Sequence, residues 1–216
     1  MEASNLAKYT YDEVGSRVEF SRKMFHQIEE KLDDFLNYIP FDSGHLEVYS
    51  LKLVTIILEV GPELINSFEL AVCENDFDIR KFYGEANKDR EDLLKREKEL
   101  RARKKSLTFK DYYCFLVKHE IPSLSTATIQ LRESKAYMMP FEQEIPIWWD
   151  SCYNLLRHDK YSNLKNATLR NTLKATAALF WLIENNSKPF PFDRPFPSKL
   201  FLTNEDLGLL ISYKKI

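Results

Sequence analysis

The feature that most constrains this fold is a repeated helical spacing of apolar residues between Trp148 and Ile183. In each half of this stretch, mostly apolar side chains recur at steps of three and four residues, which is the period of one face of an α-helix. The first set comprises Trp149, Cys152, Tyr153 and Leu156, and the second comprises Leu169, Leu173, Thr176, Phe180 and Ile183. The pattern predicts two helices that bury these faces in a core, joined by a bend at Asp159 to Asn163.

Two further apolar stripes extend the helical prediction toward the N-terminus. Residues 11 to 39 carry one stripe, which Pro40 ends, and residues 46 to 72 carry a broader one. Gly61-Pro62 lies inside the second stripe, and a proline there removes a helical hydrogen bond and clashes with the preceding turn. We therefore expect a kink or a break in the second helix. The scarcity of glycine, with 5 residues in 216, also favours helices.

The region from Glu85 to Lys105 is the most highly charged part of the chain. Its Glu, Lys and Arg content has a high helix propensity but its apolar stripe is thin, so it is either a solvent-exposed helix or disordered. The basic cluster Arg101 to Lys105 suits a helix C-terminus, with phosphate binding as the alternative. The residues Thr108 to Asp111 form a capping-box pattern, which predicts a helix from Phe109 to about Glu120.

Two segments of the chain have an extended character. Residues 123 to 147 contain short apolar–polar alternations, which indicate either a small β-hairpin inserted in a helical protein or an ordered loop. Ser187 to Ser198 contains four prolines among phenylalanines, which excludes a regular helix. This segment either packs across its own domain or docks on a partner. A short last helix is predicted over Thr203 to Leu210.

These patterns predict a mainly α fold, namely an antiparallel helical bundle of about five to six helices with a kinked second helix and a small extended or β-hairpin insertion. The length of 216 residues fits a single domain. Its expected parts are the first helices over 10–120, the extended insertion over 123–147, a core helical hairpin over 148–185 and a Pro/Phe-rich C-terminal segment over 187–216.

The charge, cysteine and motif content argues against several functional classes. A formal net charge of -2 does not indicate a nucleic-acid or membrane partner, so any such partner needs a local patch. Three separated cysteines without a C-x-x-C pattern predict buried free thiols in a reducing cytoplasm, and neither disulfides nor a zinc site. The sequence shows no membrane-length apolar stretch, signal peptide, phosphate loop or common hydrolase motif. We therefore expect a cytoplasmic protein with no metal, no cofactor and no membrane partner.

The candidate binding site lies in the first helix of the 148–185 hairpin and in the bend after it. Its members share a polar or charged side chain near the tryptophans: Asp150, Asn154, Arg157, His158, Lys160 and Tyr161. Such groups are costly to bury unless they pair with one another or with a ligand. Arg157 and His158 are the candidates for any catalysis. Glu59 and Glu63 form a second candidate, which either binds metal or does acid–base chemistry, or is a solvated or cross-bundle ion-pair edge.

The C-terminal half resembles a known group of helical proteins. It is similar to the Trp-Trp, Tyr-Asn and Arg-His pattern of uncharacterised prokaryotic HEPN-like proteins, through Trp148-Trp149, Tyr153-Asn154, Arg157-His158, Ala167-Thr168-Leu169 and Ala177-Ala178-Leu179-Phe180. The resemblance covers about half of the chain and implies a compact antiparallel helical bundle, often dimeric. Many HEPN-like proteins are ribonucleases of toxin and antiviral systems, with an active-site Arg and His separated by four to six residues on one helix.

This sequence departs from the arginine-to-histidine spacing of that group. Arg22 and His26 have only three residues between them. Arg157 and His158 are adjacent, so on a helix their side chains point about 100° apart. The resemblance therefore does not carry over a ribonuclease site.

Three functions remain open from the sequence. The first is RNA or nucleotide binding in a prokaryotic defence or toxin–antitoxin system, with Arg157, His158 and Lys160 touching phosphate. The second is a non-catalytic interaction scaffold or homodimer, in which Asp150, Asn154 and Arg157 satisfy one another. The third is a metal-independent ribonuclease with His158 as general acid or base. Solvent exposure separates them, because binding and catalysis need Arg157 and His158 in the open.

Overall fold

The computed structural model describes residues 11–74, 108–115, 127–132, 134, 136–186 and 197–203. Within these ranges there are five α-helices: α1 (Tyr11–Leu36), α2 (Leu51–Glu74), α3 (Phe109–Phe115), α4 (Leu155–His158) and α5 (Leu169–Asn186). A π-helix, Trp148–Asn154, leads directly into α4. Most of the described residues are helical, which confirms the predicted mainly α fold.

The start and the continuity of α2 have local causes. The helix begins at Leu51 and not at Leu46 as predicted. The hydroxyl of Ser50 accepts a hydrogen bond from the Leu53 N–H at 3.2 Å, and a serine in this position satisfies a backbone donor that has no helical partner. α2 then continues through Pro62. A break at this proline is therefore excluded, and the kink stays a prediction.

The core lies where α1, α2 and α5 meet. The predicted face of α5 is buried along its whole length, at Leu169, Leu173, Thr176, Phe180 and Ile183. α1 ends at Leu36, earlier than predicted, and contributes the fully buried Phe25, Ile28 and Leu32. The Leu169 N–H at the start of α5 donates to the Val48 carbonyl at 2.8 Å. This bond places the beginning of α5 beside the beginning of α2.

α3 packs against α2 through aromatic rings, and its start confirms the predicted capping box. The Thr108 N–H donates to Asp111 Oδ2 at 2.9 Å, and the Asp111 N–H donates back to Thr108 Oγ1 at 3.3 Å. Phe68 of α2 stacks on Tyr112 of α3 with ring centroids 5.6 Å apart. It also makes an edge-to-face contact with Phe109, whose ring centroid lies 5.2 Å away. The cap thus fixes a helix that presents its rings to the core.

The extended insertion forms part of a small antiparallel sheet. Strands β1 (Ile129–Leu131) and β2 (Tyr137–Met138) pair as a hairpin, which confirms the prediction of a β-hairpin in this region. A third strand, β3 (Phe201–Thr203), pairs with the other edge of β1, so the order is β2-β1-β3. The sequence patterns do not predict β3. Thr203, the expected first residue of a last helix, instead ends this strand.

A buried carboxylate joins α1 to the segment that enters β3. Glu29 is 1% exposed, and its Oε1 atom accepts hydrogen bonds from the Ser198 hydroxyl and from the Leu200 N–H, the latter at 3.0 Å. The Ser198 hydroxyl in turn accepts the Phe201 N–H at 2.8 Å. The other carboxylate oxygen, Oε2, lies 3.6 Å from Nδ1 of His26. One side chain of α1 therefore organises the turn before the strand.

Several predictions concern residues outside the described ranges. These are the charged helix over Glu85 to Lys105, the end of α3 near Glu120, most of the proline-rich segment and the last helix beyond Thr203. Among the helices that are described, none is both long and apolar enough to cross a membrane.

Candidate functional site

The π-helix and α4 carry the predicted core stripe. Its four members, Trp149, Cys152, Tyr153 and Leu156, are all buried, as predicted. Trp148 is buried as well, and its indole N–H donates to the Pro140 carbonyl at 2.7 Å. The Trp149 ring stacks on Phe109 with centroids 4.7 Å apart. Both tryptophans are therefore core residues.

The bend after α4 is held by a network of local hydrogen bonds. Oδ1 of Asp159 accepts the N–H groups of Tyr161 and Ser162, each at 3.1 Å. The Asn163 side-chain amide donates to the Asp159 carbonyl at 2.8 Å. Hydrogen bonds from Ser162, together with one from the Tyr161 backbone, lower the pKa of the Asp159 carboxyl. The predicted bend is thus confirmed, and its acidic residue serves the turn itself.

The predicted site residues lie on the surface. Asp150, Arg157, His158, Lys160 and Tyr161 are exposed, and Asn154 is half-buried. In the part of the chain that the structure describes, no hydrogen bond or ion pair joins Asp150, Asn154 and Arg157. We expected internal pairing because unpaired polar groups are costly to bury. Since these side chains are exposed or half-buried, that cost does not arise. Tyr161 lies in the turn beyond the end of α4, within the predicted bend.

Arg157 contacts the ring of Tyr153, and this ring in turn packs against α2. Its guanidinium carbon lies 5.9 Å from the centroid of the Tyr153 ring, within the range of a cation–π interaction. Tyr153 packs against the Trp149 ring at 4.6 Å and against α2 at Gly61. A Cβ atom at Gly61 would lie 2.0 Å from Cε2 of Tyr153, so only glycine leaves room for this ring. The sequence indicates Gly61 as part of a helix breaker, and nothing in the pattern reveals its role under Tyr153.

Positive charge is concentrated after the π-helix. We call residues 157–165 the hairpin tip; it carries exposed Arg157, Lys160 and Lys165 and a single carboxylate, Asp159. Within the described residues none of these three cations forms an ion pair. Arg170, which follows the tip in α5, differs from them because its guanidinium donates to Glu47 at 2.8 Å. The hairpin tip is therefore a small local patch with excess positive charge.

The thiol of Cys152 is buried in the π-helix and has low reactivity. It is fully buried, and its sulfur donates to the Asn166 carbonyl at 3.0 Å. Burial raises the pKa of this thiol to about 12, so the reactive thiolate is scarce at neutral pH. The prediction of a buried free thiol is confirmed for Cys152. The side chains of Cys73 and Cys114 lie outside the described part.

Glu59 and Glu63 of α2 have different surroundings. Both oxygens of Glu59 accept from Lys31 Nζ of α1 at 2.6 Å, which is the cross-bundle ion pair named as one alternative. Glu63 is buried, and desolvation raises the pKa of its carboxyl group, an effect that a hydrogen bond from Asn66 partly opposes. Across the described residues, no group of three or more His, Cys, Asp or Glu side chains could hold a metal ion.

Comparison of the chain with known protein families, curated proteins and solved structures finds no match. The HEPN-like resemblance therefore stays a prediction from short sequence motifs. The geometry of the hairpin tip is the structural basis for a proposed function.

Proposed function

We propose that the hairpin tip binds the phosphate groups of RNA or of a nucleotide. The observation that carries this proposal is the exposure of Arg157, Lys160 and Lys165 on one short segment, without an acidic partner among the described residues. Phosphate contacts by lysine and arginine supply most of the affinity in sequence-independent nucleic-acid binding. A protein with a formal net charge of -2 needs such a local patch to bind a polyanion at all.

The hairpin tip has features that suit it to this task. The guanidinium group presents a planar fork of donors that matches phosphate oxygens, and the Tyr153 ring beneath Arg157 limits the positions which that group can take. The turn hydrogen bonds of Asp159 hold the backbone between the cations and occupy its Oδ1 atom. A surface that is already ordered loses less conformational entropy when a ligand binds. The HEPN-like resemblance adds a prokaryotic defence or toxin–antitoxin system as the proposed setting.

Binding of a fluorescently labelled RNA, followed by anisotropy over a range of salt concentrations, tests this proposal. We expect the double variant Arg157→Ala/Lys160→Ala to bind more weakly and to lower the slope of log K against log salt by about two, because each lost phosphate contact removes about one. The matched control is Lys23→Ala, which removes an exposed cation of α1 that pairs with its neighbour Glu19. Identical affinities and salt slopes for the wild type and the double variant would contradict phosphate binding at the hairpin tip.

A partner-protein or homodimer interface is the second candidate function. Its support is a run of exposed large apolar side chains over residues 137–155, namely Tyr137, Met139, Ile145, Ile147 and Leu155. Exposed apolar patches are typical of interaction sites. Light scattering on the binding samples reports whether the chain is a dimer. A denaturing gel of the same RNA reports whether His158 supports a ribonuclease activity, which is the remaining alternative.

A further inference from the structure

Tyr161 is the most exposed large hydrophobic side chain in the described part of the chain. It is 95% exposed, whereas the tryptophans that lie nearby in the sequence are almost fully buried. A single exposed aromatic residue is ordinary, so exposure alone assigns no role. The surroundings of Tyr161 provide the argument, because they combine a fixed backbone with positive charge.

The backbone beneath the Tyr161 ring is pinned on both sides. Its own N–H and that of Ser162 donate to Oδ1 of Asp159, and the Asn163 amide donates to the carbonyl of the same aspartate. The Asp159 N–H donates in turn to the Leu155 carbonyl at 2.9 Å, which ties the turn to α4. The ring therefore projects into water from an ordered base. An aromatic side chain on a fixed backbone offers a flat contact surface at low entropic cost.

Tyr161 lies among exposed, positively charged residues of the hairpin tip. Lys160 precedes it directly, and Arg157 and Lys165 stand on either side along the sequence. A positively charged surface with an exposed aromatic ring is the common solution for binding single strands, because every base has a face that can stack. A base inside a duplex already has both faces covered by its neighbours. The combination of features therefore selects an unpaired base.

We propose that Tyr161 is a stacking platform for an unpaired base of single-stranded RNA, and that it makes the hairpin tip prefer single strands over duplexes. This inference rests on the phosphate binding proposed above and adds a residue that determines specificity. Arg157 and Lys160 hold the backbone, whereas Tyr161 holds the base. The phosphate contacts are common to any polyanion, so the preference for single strands comes from the ring.

The test compares three labelled RNAs of equal length, each of about ten nucleotides, within the range of site sizes for such surfaces. They are a single strand, the corresponding duplex and a strand of the same length without bases. We expect the wild type to bind the base-bearing single strand most tightly. Tyr161→Ala should weaken this binding about 5- to 140-fold, the equivalent of one lost base stack. Tyr161→Ala should leave binding of the abasic strand unchanged, and Tyr161→Phe should retain the wild-type preference.

Tyr38→Ala is the matched control. Tyr38 is 82% exposed but lies beyond the end of α1, where Lys52 sits over its ring at 6.0 Å. Removal of this ring should leave RNA binding unchanged. Equal wild-type affinities for the base-bearing and the abasic strand would overturn the stacking role while leaving phosphate binding intact. Failure of all three RNAs to bind would overturn both proposals together.

Discussion

At the scale of single residues, the tightest constraint that the structure shows is the approach of Tyr153 to Gly61. A Cβ atom at residue 61 would lie 2.0 Å from Cε2 and 2.2 Å from Cζ of the tyrosine ring. In an open helix, the replacement of glycine by alanine stabilises the fold by about 0.5–1 kcal/mol, because glycine loses more backbone freedom on folding. Here the clash outweighs this gain, since the ring is buried between α2 and Trp149 and cannot move into water.

We therefore predict that Gly61→Ala lowers the free energy of unfolding by about 1–3 kcal/mol, the usual cost of overpacking a well-filled core. Urea denaturation followed by circular dichroism measures it. Gly44→Ala is the control, because its added Cβ would meet only the carboxylate end of Asp42, at 3.1 Å. This control should lose much less stability. If Gly61→Ala were as stable as the wild type, the close packing of Tyr153 on α2 would be wrong.

In the candidate site, the position of a residue was predictable where one sequence rule, such as helical spacing or turn preference, decides it. Helical spacing correctly assigned Trp149 and Leu156 to the core, and turn-forming residues correctly marked the bend at Asp159. Helical spacing says nothing about Tyr161, because α4 ends at His158 and Tyr161 lies in the bend. Single residues such as Gly61 act through a neighbour on another element, and no local pattern contains that information.

At the scale of elements, α2 holds two glutamates whose environments give them opposite effects on stability. Burial raises the pKa of Glu63 above its ordinary value of 4.5, so the folded chain binds a proton more tightly than the unfolded chain. Stability contributed by the protonated group is present at low pH and is lost as pH rises from the unfolded pKa through the folded one. At neutral pH, an ionised Glu63 therefore destabilises the fold. Glu59 instead pairs with Lys31 across the helices.

We predict that Glu63→Gln is more stable than the wild type at pH 7, because it removes the buried charge. The difference should shrink as pH falls toward the ordinary value of 4.5, because the raised pKa lets the folded carboxyl group take up its proton before that pH is reached. Thermal unfolding of both proteins at a series of pH values measures it. Glu59→Gln is the companion variant and should be less stable at pH 7, since it loses the ion pair with Lys31. A constant difference between Glu63→Gln and the wild type at all pH values would show that the charge of Glu63 is not responsible.

Elements were predictable where the sequence carries either a capping box or a long apolar stripe. The Thr108 capping box and the long stripes of α1, α2 and α5 meet this condition, and each of these helices is present. The π-helix could not be told from an α-helix in the sequence. Its hydrogen bonds join residues i and i+5, whereas the buried stripe at steps of three and four suits an α-helix equally well. β3 is three residues long and pairs with a strand about seventy residues earlier, through Gln130 and Leu202. Such pairing depends on the completed bundle, so local alternation cannot reveal it.

At the scale of the whole molecule, Glu29 connects parts of the chain that are far apart in sequence. Its carboxylate accepts from the hydroxyl of Ser198 and the N–H of Leu200, which lie 169 and 171 residues later. These bonds fix the turn that delivers Phe201 to the edge of β1 and against the Phe25 and Phe180 rings of the core. The sheet and the bundle therefore share this anchor, and its removal should affect both.

We predict that Glu29→Ala lowers the free energy of unfolding by about 1–3 kcal/mol for each buried donor left without an acceptor. Amide hydrogen exchange should quicken at Leu200 and Phe201 before it quickens in α2, because the turn loses its acceptor while the helix keeps its own bonds. Glu30→Ala is the control, since Glu30 is exposed and pairs with Lys199 at 3.8 Å. A surface pair of this kind contributes at most about 1 kcal/mol. If the two variants lost the same stability, the hydrogen bonds of Glu29 would not be what holds residues 198–201 to the bundle.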